Sequence, residues 1–540
     1  MKQNGFKNLL VGCLLVIIPL IAKTQQLIPL NNDLLMPINK EINKKEVLFH
    51  SSLKPFLDSD LNRFFNYDSL VDYSNRDFTF FSKRKHQWFW RKLRKENLIN
   101  INAKNLQATA DPFFNFEIGK EKNGSSCYIN TRGYVIKGKI GKHFAFNSSF
   151  YENQGVFPKY LSSFIDSNLV VPGQGKAKMF KSSGYDYSMA SGVVSYSPFN
   201  CINFQFGTDK NFIGDGYRSL MLSDNAFNYP FLKITTNYKK LQYALLFSSL
   251  QDLRYKPAFE SSYQKKYSST YYLSYFIGKR IDVSLFESIM WQAIDDKKTK
   301  GLKLNYFNPI IGVQTLSTSL NSVDNSMLGL NLKIKLTNTI SFYSQFVADN
   351  LSAFSGEKAT ISNKYGFQFG FKYFDLFNVK QLYLQTEYNQ VQPYTYAHKN
   401  SLQSYTHYNQ TLTHPMGANF KEVVAILNYR WKDFSAEIKI NYILFGADTG
   451  ASHFGKDIFQ SDNNAAYYQN GTPVTLLEGI SSKLLIADLR LCYLMNPKTN
   501  MNLILGYTYR KEASDLINTN TSYLYFGFRT SLTNFYYDFK

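Results

Sequence analysis

The sequence predicts an all-β fold, an antiparallel β-barrel of the outer-membrane type with a partly helical N-terminal segment. An apolar leader at the N-terminus, an aromatic content of 17% with slightly negative mean hydropathy, and strand-length runs of alternating polarity together predict it.

The leader fixes the solvent against which the rest is read. Lys2 and Lys7 flank a polar start, Leu9 to Ala22 is almost wholly apolar, and Ala22 and Thr24 are small residues suited to cleavage. That is the layout of a secretory signal peptide, assigned to residues 1–24. Leu10-Val11-Gly12-Cys13 offers a lipid-attachment alternative, but it leaves the longer apolar run after the cysteine. Beyond Ala22 no stretch reaches the roughly 18 apolar residues that a membrane helix needs. The mature chain is therefore a soluble exported protein or a barrel, and composition separates the two. With 46 Phe and 40 Tyr against 15 Pro, it has the material for aromatic girdles at both membrane interfaces.

Residues 25–110 form a distinct segment, periplasmic or plugging. Within it Lys83-Arg84-Lys85 precedes Trp88, Trp90, Arg91, Lys92, Leu93, Arg94 and Lys95, basic and aromatic residues interleaved. An interfacial helix, a plug, a periplasmic cap and a solvated basic helix all fit this pattern.

From Asp111 to the end the period becomes two, and residues 111–540 are assigned to the barrel. Leu524, Phe526, Phe528, Thr530 and Leu532 fall on one face of the last strand, against Tyr523, Tyr525, Gly527, Arg529 and Ser531. Met501, Leu503, Leu505, Tyr507 and Tyr509 repeat the split, as do Phe434, Ala436, Ile438, Ile440, Tyr442 and Leu444. Runs of about 10 residues with a charged second face suit lipid on one side and a wet lumen on the other. Soluble sandwich strands are shorter, about 5 to 6 residues. Roughly 430 residues at about 24 to 27 per strand and connection predict roughly 16 to 18 strands, even in number so that the barrel closes. Gly446 to Ser481 reads as a surface loop, with others near residues 295–300 and 350–363. Asn534-Phe535-Tyr536-Tyr537-Asp538-Phe539 reads as an aromatic cluster at one rim.

The chemistry-bearing residues form no catalytic or metal-binding pattern. Cys127, Cys201 and Cys492 are widely spaced and give no Cys-x-x-Cys pair, so neither a disulfide framework nor a zinc site is predicted. His398, His407 and His414 gather around one connection without an intervening carboxylate or cysteine. No Gly-x-Ser-x-Gly elbow stands out, no enzyme activity is predicted, and no cofactor is expected. The formal charge of +21, part of which leaves with the signal, points in an exported chain to lipopolysaccharide or anionic glycan and not to nucleic acid. Lys and Arg lining strand ends near phosphate-rich outer-membrane lipid account for it equally well.

The densest special segment is KNFIGDGYRSLMLSDNAFNYP, Lys210 to Pro230. It fails as a phosphate loop, because no Lys-Ser/Thr pair follows and no helix opens. Its Asp215, Arg218, Asp224 and Asn225 suit polar contacts inside a lumen or at a pore mouth. A Gly-x-Gly turn before Leu-Ser-x-Asn-Ala resembles the pattern of the Wzi capsule-assembly family. NTRGYVIKGKIG (Asn130 to Gly141), SSFYENQGVFPKY (Ser148 to Tyr160) and YFNPIIG (Tyr306 to Gly312) are similar to its Bacteroidetes, RemB-like gliding-motility branch. DNSMLGLNLK (Asp324 to Lys333), LQTEYNQVQPYTYAH (Leu384 to His398) and THYNQTLTHPMGANFKE (Thr406 to Glu422) extend that likeness along the chain.

The resemblance implies an outer-membrane barrel at the cell surface, partly blocked by helices and its own loops, that engages surface polysaccharide, with motility or secretion machinery as further partners. A transport channel, a barrel enzyme and an accessory barrel of a secretion complex are the alternatives. Glu152, Asp215, Asp224 and Glu387 are candidates for inward-facing positions paired with Arg132 or Arg218. Aromatic rings beside amides are the tools of sugar binding. Tyr467 and Tyr468 with Asn470, and Tyr394 and Tyr396 with His398 and Asn400, offer that mixture. The candidate ligand contacts are thus Asp215, Arg218, Asp224, Asn225, Glu387, Tyr394, Tyr396, His407, Tyr467 and Tyr468.

Overall fold

The computed structural model describes residues 26–71, 87–122, 124–181, 183–254, 263–295, 298–299, 306, 308–312, 315, 324–349, 364–450, 452–466 and 473–539. The leader, residues 1–24, lies outside the described residues.

Eighteen strands form one closed antiparallel barrel. The first nine are β1 (Leu106–Glu121), β2 (Ser126–Ile140), β3 (Phe144–Val156), β4 (Gly184–Phe199), β5 (Ile202–Asp209), β6 (Tyr229–Tyr238), β7 (Leu241–Asp252), β8 (Gln264–Ile277) and β9 (Ile281–Gln292). The other nine are β10 (Asn325–Lys335), β11 (Ile340–Asp349), β12 (Tyr365–Phe374), β13 (Leu382–Val391), β14 (Phe420–Trp431), β15 (Phe434–Ala447), β16 (Ile480–Asn496), β17 (Met501–Ser514) and β18 (Asn518–Thr530). Each pairs with its neighbours in sequence, and β18 returns to β1 with Tyr523 opposite Glu121 and Arg529 opposite Asn115. That seam leaves no open strand edge, which hydrocarbon would not tolerate. The count is the upper value that the sequence predicts. The first strand begins at Leu106, five residues before the change of period at Asp111, and a short strand, Ile99–Ala103, pairs with its opening residues.

The alternation read from the sequence becomes an outside and an inside. Phe434, Ile438, Ile440 and Tyr442 of β15 are exposed on the outer wall, while Asn441 is buried in the lumen. Leu524 and Phe526 of β18 are likewise exposed, and Tyr523 is buried. Arg132 and Glu152 sit opposite each other on β2 and β3, but both are exposed on the outer wall, so the inward position considered for Glu152 does not occur.

The two ends of the barrel differ. One carries short turns at 141–143, 200–201, 239–240, 278–280, 336–339, 375–381, 432–433 and 497–500. The other carries long connections, among them 157–183, 210–228, 392–419 and 448–479. Short turns mark the periplasmic end and long loops the outer end of such barrels.

Among the described residues five α-helices accompany the strands: α1 (Asn32–Ile42), α2 (Asp58–Leu61), α3 (Tyr67–Val71), α4 (Gln87–Arg94) and α5 (Lys159–Asn168). The Asn31 side chain accepts from the amides of Asp33 and Leu34 and so starts α1. Leu35, Ile38 and Ile42 then bury one face of this helix against Ile28, Val47, Phe49, Phe56 and Leu61. This small core closes the periplasmic mouth. Lys40 Nζ donates to Asp375 at 2.9 Å, and Asn43 Nδ2 donates to the carbonyls of Thr337 and Asn338 at 3.2 and 3.0 Å, all three partners on short turns.

The residues after β18 depart from the sequence expectation. The cluster at Asn534 to Phe539 is not a rim. It turns back into the barrel, where Tyr536, Asp538 and Phe539 are buried. Asn534, Tyr536 and Asp538 of the tail find partners in the lumen, Asp224 for the first two and Arg218 and Lys439 for the third.

The two faces make opposite forecasts for one charge. Phe526→Arg on the lipid face is expected to cost about 2 to 4 kcal/mol if the residue lies near the bilayer midplane. Denaturant titration of the lipid-reconstituted barrel, with Thr521→Arg on the lumen side compared, measures this.

Candidate functional site

Four chain segments meet inside the barrel: the N-terminal segment around Ser51, the connection 210–228, the connection 392–419, and the tail 531–539. Arg218, 1% exposed, stands at their junction. Its guanidinium donates to Glu422 Oε1 of β14 at 3.1 Å and to the Asp538 carbonyl at 3.0 Å. The Asp538 carboxylate lies 3.1 Å from Nη1, and the Tyr217 and Tyr536 rings lie 4.9 and 5.4 Å away. A buried guanidinium requires this degree of pairing.

Around it the wall supplies carboxylates and amides. Glu387 of β13 accepts from the amides of Tyr217 and Arg218 at 2.7 and 3.1 Å, from Tyr343 Oη at 2.9 Å and from Asn389 at 2.9 Å. Gly216 makes this approach possible, because a Cβ there would collide with Glu387 Oε2 and the Arg218 carbonyl. Gln345 accepts from the Leu220 amide at 2.9 Å, and Gln368 donates to the Arg218 carbonyl at 3.1 Å. The loop's backbone groups thus take wall side chains as partners in place of water.

A second clamp lies at Asp215. Ser51 and Ser52 donate to its two oxygens at 2.5 and 2.6 Å, and Lys333 Nζ of β10 lies 3.4 Å away. Burial alone would raise this carboxyl, yet Lys333 and Lys54 hold it well below the usual carboxylate range. Asp538 behaves the same way: burial opposes ionisation, and Arg218 and Lys439 overcome it. Asp224 accepts from Tyr536 Oη at 2.8 Å and Asn534 Nδ2 at 2.9 Å, joining the tail to the loop. Asn225 Nδ2 donates to Thr411 Oγ1 at 3.0 Å. Between α1, the tail and the wall there remains a cavity of about 210 Å³, lined by Asp33, Tyr160, Lys439, Asp488 and Arg490 among others.

All eight of the described candidate residues are therefore buried and engage protein groups. Tyr394 Oη donates to the His453 carbonyl at 2.6 Å, and Tyr396 Oη donates to the Leu220 carbonyl at 2.9 Å. His407 Nδ1 accepts from the Gln251 amide at 3.0 Å, which fixes the tautomer that presents Nε2–H to the Asn228 carbonyl at 3.3 Å. Burial pushes this imidazole down to about 3. His414 accepts the Met416 amide at Nδ1 and donates from Nε2 to Glu422 at 2.6 Å. Tyr467 and Tyr468 lie outside the described residues.

Sequence reasoning missed Asp538, Tyr536, Ser51 and Ser52. Their partners are about 100 residues away or more, so no local spacing marks them. It also missed an outer-face cluster. Tyr408 and Asn409 take left-handed conformations, φ 54° and 55°, at the tip of a hairpin, Thr406–His407 with Gln410–Thr411. This turn sets the half-buried Tyr408 ring on Phe227, with ring centres 4.5 Å apart. Nearby, Lys176 Nζ donates to Tyr263 Oη at 2.6 Å. Asn409 Nδ2 donates to the Asn168 carbonyl at 3.0 Å, tying the hairpin to α5. The signal available in the sequence was the Tyr-Asn pair following His407, at a spacing suited to a two-residue turn.

A family model described as capsule assembly protein Wzi matches residues 137–519. The fold is similar to a solved structure from Escherichia coli, described as Wzi, an outer membrane protein involved in group 1 capsule assembly and a carbohydrate binding β-barrel. The similarity has a TM-score of 0.55 at 13% identity and covers 94% of this chain and 100% of that one. Similarity to Pseudomonas aeruginosa OprD is weaker, with a TM-score of 0.41 at 11% identity over 78% of this chain and 94% of that one. Acinetobacter baumannii OccAB2 gives 0.40 at 10% identity over 78% and 97%. No protein of curated function matches the sequence.

Arg218→Met is expected to strip the buried Glu422 of its guanidinium and leave Asp538 with Lys439 alone, at a cost of about 3 to 5 kcal/mol. Limited proteolysis should then release the tail while the barrel persists. The hairpin carries a pH signature. Its docked His407 stays neutral down to about pH 3, whereas a freed imidazole titrates at 6.5. Docking thus weakens as pH falls through that window. Hydrogen exchange of residues 405–412, corrected for the intrinsic rate, should quicken on acidification, and His407→Gln should flatten the trend.

Proposed function

The chain belongs to the Wzi capsule-assembly family, and on that premise we propose that it is an outer-membrane barrel that binds surface polysaccharide at its outer end and holds it there without passing it through the wall. The observation that carries this reading is the occupied lumen. Loop, wall, N-terminal segment and tail are joined through Arg218 and Asp215, an arrangement suited to an anchor and unsuited to a conduit.

Polysaccharide contact then belongs to side chains that reach solvent at the outer end. Tyr408, Tyr263 and Lys176 supply rings for stacking on pyranose faces and a cation for acidic sugars, with Asn409 as a hydrogen-bonding amide. The buried set Asp215, Arg218, Asp224, Asn225, Glu387, Tyr394, Tyr396 and His407 acts on the ligand through the posture of these loops. Tyr467 and Tyr468 are proposed as further stacking residues. The finer part of the proposal follows the sequence resemblance: in a gliding cell the retained polysaccharide would couple the barrel to surface motility.

Two measurements test the proposal. In planar bilayers the wild-type barrel is expected to stay closed, and steady openings would replace the anchor by a channel. In a deletion strain, surface polysaccharide is expected to be shed while the envelope stays intact. Complementation with Tyr408→Ala and Tyr263→Ala together should restore the barrel to the outer membrane without restoring retention. Normal spreading of the deletion strain would remove the motility part alone.

A further inference from the structure

Helix α4 lies on the outside of the barrel and not in its lumen. Arg94 Nη2 donates to Tyr493 Oη at 2.6 Å, with its guanidinium 5.3 Å from that ring. Tyr493 faces outward, since it packs on Phe434, which is 53% exposed on the lipid-facing wall, with ring centres 4.8 Å apart. Asn496 Nδ2 donates to the carbonyls of Lys92 and Glu96 at 2.9 and 3.0 Å and secures the end of the helix to β16. Arg94 also lies 3.8 Å from Asp433, on the short turn between β14 and β15. The helix is thereby fixed at the periplasmic rim, against the aromatic girdle formed there by Trp431, Phe434 and Tyr493.

Its free surface is amphipathic. Trp88 and Phe89 are 58% and 51% exposed. The adjoining strand, Ile99–Ala103, continues the wall outward with Leu98, Ile99 and Ile101 all exposed. Rings of this size left in water are costly, whereas at the boundary between headgroups and acyl chains they are at home. Along the sequence, residues 83 to 96 carry seven Lys or Arg and a single carboxylate, Glu96. Glu96 answers Arg91 at 2.6 Å and Lys92 at 3.2 Å, which leaves the stretch strongly cationic.

We propose that α4 and the strand Ile99–Ala103 form an interfacial anchor that binds anionic phospholipid headgroups of the periplasmic leaflet. Apolar side chains continuous with the barrel's lipid-facing band set the depth, and the excess of cations selects the headgroup. The device stands apart from polysaccharide binding, which belongs to the opposite end of the barrel.

The test uses the full-length barrel in vesicles. Trp90→Phe, Trp291→Phe and Trp431→Phe leave Trp88 as the sole indole of the four in the sequence. In vesicles of phosphatidylethanolamine and phosphatidylglycerol with brominated acyl chains, Trp88 emission is expected to be blue-shifted and quenched. In phosphatidylcholine with the same bromination the quenching should fall. Arg91→Gln with Lys95→Gln should lower the ratio of seated to released helix about fivefold per residue in the anionic vesicles, as expected for one basic side chain at such a surface. Heat-modifiable gel migration confirms that each variant is a folded barrel. Solvent-like, unquenched Trp88 in both lipids would overturn the anchor. Equal quenching in both, unmoved by the double variant, would overturn the assignment to anionic headgroups.

Discussion

The contact of Arg218 with Glu422 and Asp538 is the interaction on which the interior depends. A guanidinium this deeply buried exists only because two carboxylates from different parts of the chain reach it. Those partners belong to the wall and to the tail, while Arg218 belongs to a loop. One cation therefore decides that three segments, far apart in sequence, occupy the same space. The Asp215 clamp repeats the device for the N-terminal segment, with two serines and a lysine as partners. Between these clamps the loop runs through the lumen with its amides and carbonyls met by Glu387, Gln345 and Gln368.

The wall was legible in the sequence because its physics is local. Through the middle of β15, β17 and β18 exposure alternates with parity, because lipid on one side and a polar lumen on the other write it into the chain. Met501 and Thr530 at the strand ends, read as lipid-facing, are buried. The contents of the lumen were legible only in part. The segment from Lys210 to Pro230 stood out by its composition, and its charged residues were expected inside the barrel or at its mouth. Which groups would meet them was not readable. Ser51, Glu422 and Asp538 find Asp215 and Arg218 through closure of the barrel, a global constraint that leaves no spacing behind. The tail shows the same limit from the other side. Phe535 to Phe539 has the composition of a girdle, and only the pairing of Asp538 and Tyr536 explains why it turns inward.

The aromatic residues illustrate why composition alone could not sort function from structure. The same tyrosine serves as girdle at Tyr493, as luminal ligand to a carboxylate at Tyr343 and as loop anchor at Tyr394 and Tyr396. Each role exploits a ring that is apolar on its face and polar at its tip. Tyr394 and Tyr396 looked suited to sugar stacking beside an asparagine and a histidine, and in the fold their hydroxyls hold loop backbone. Tyr408, at the tip of its hairpin, keeps one side in solvent while its ring stacks on Phe227.

The occupied lumen also has a mechanical meaning. An empty tube of strands resists tension along its axis but flattens easily when pulled from one side, since neighbouring strands can shear and the cross-section can become oval. Here the wall is braced across its diameter by ionic and hydrogen-bonded struts. A polymer tugging sideways on the outer loops would transmit its pull through Arg218 and Asp215 to β14 and β10, across the lumen from the β5–β6 root of their loop. The cell would then be gripped through a solid pin and not through a thin sleeve.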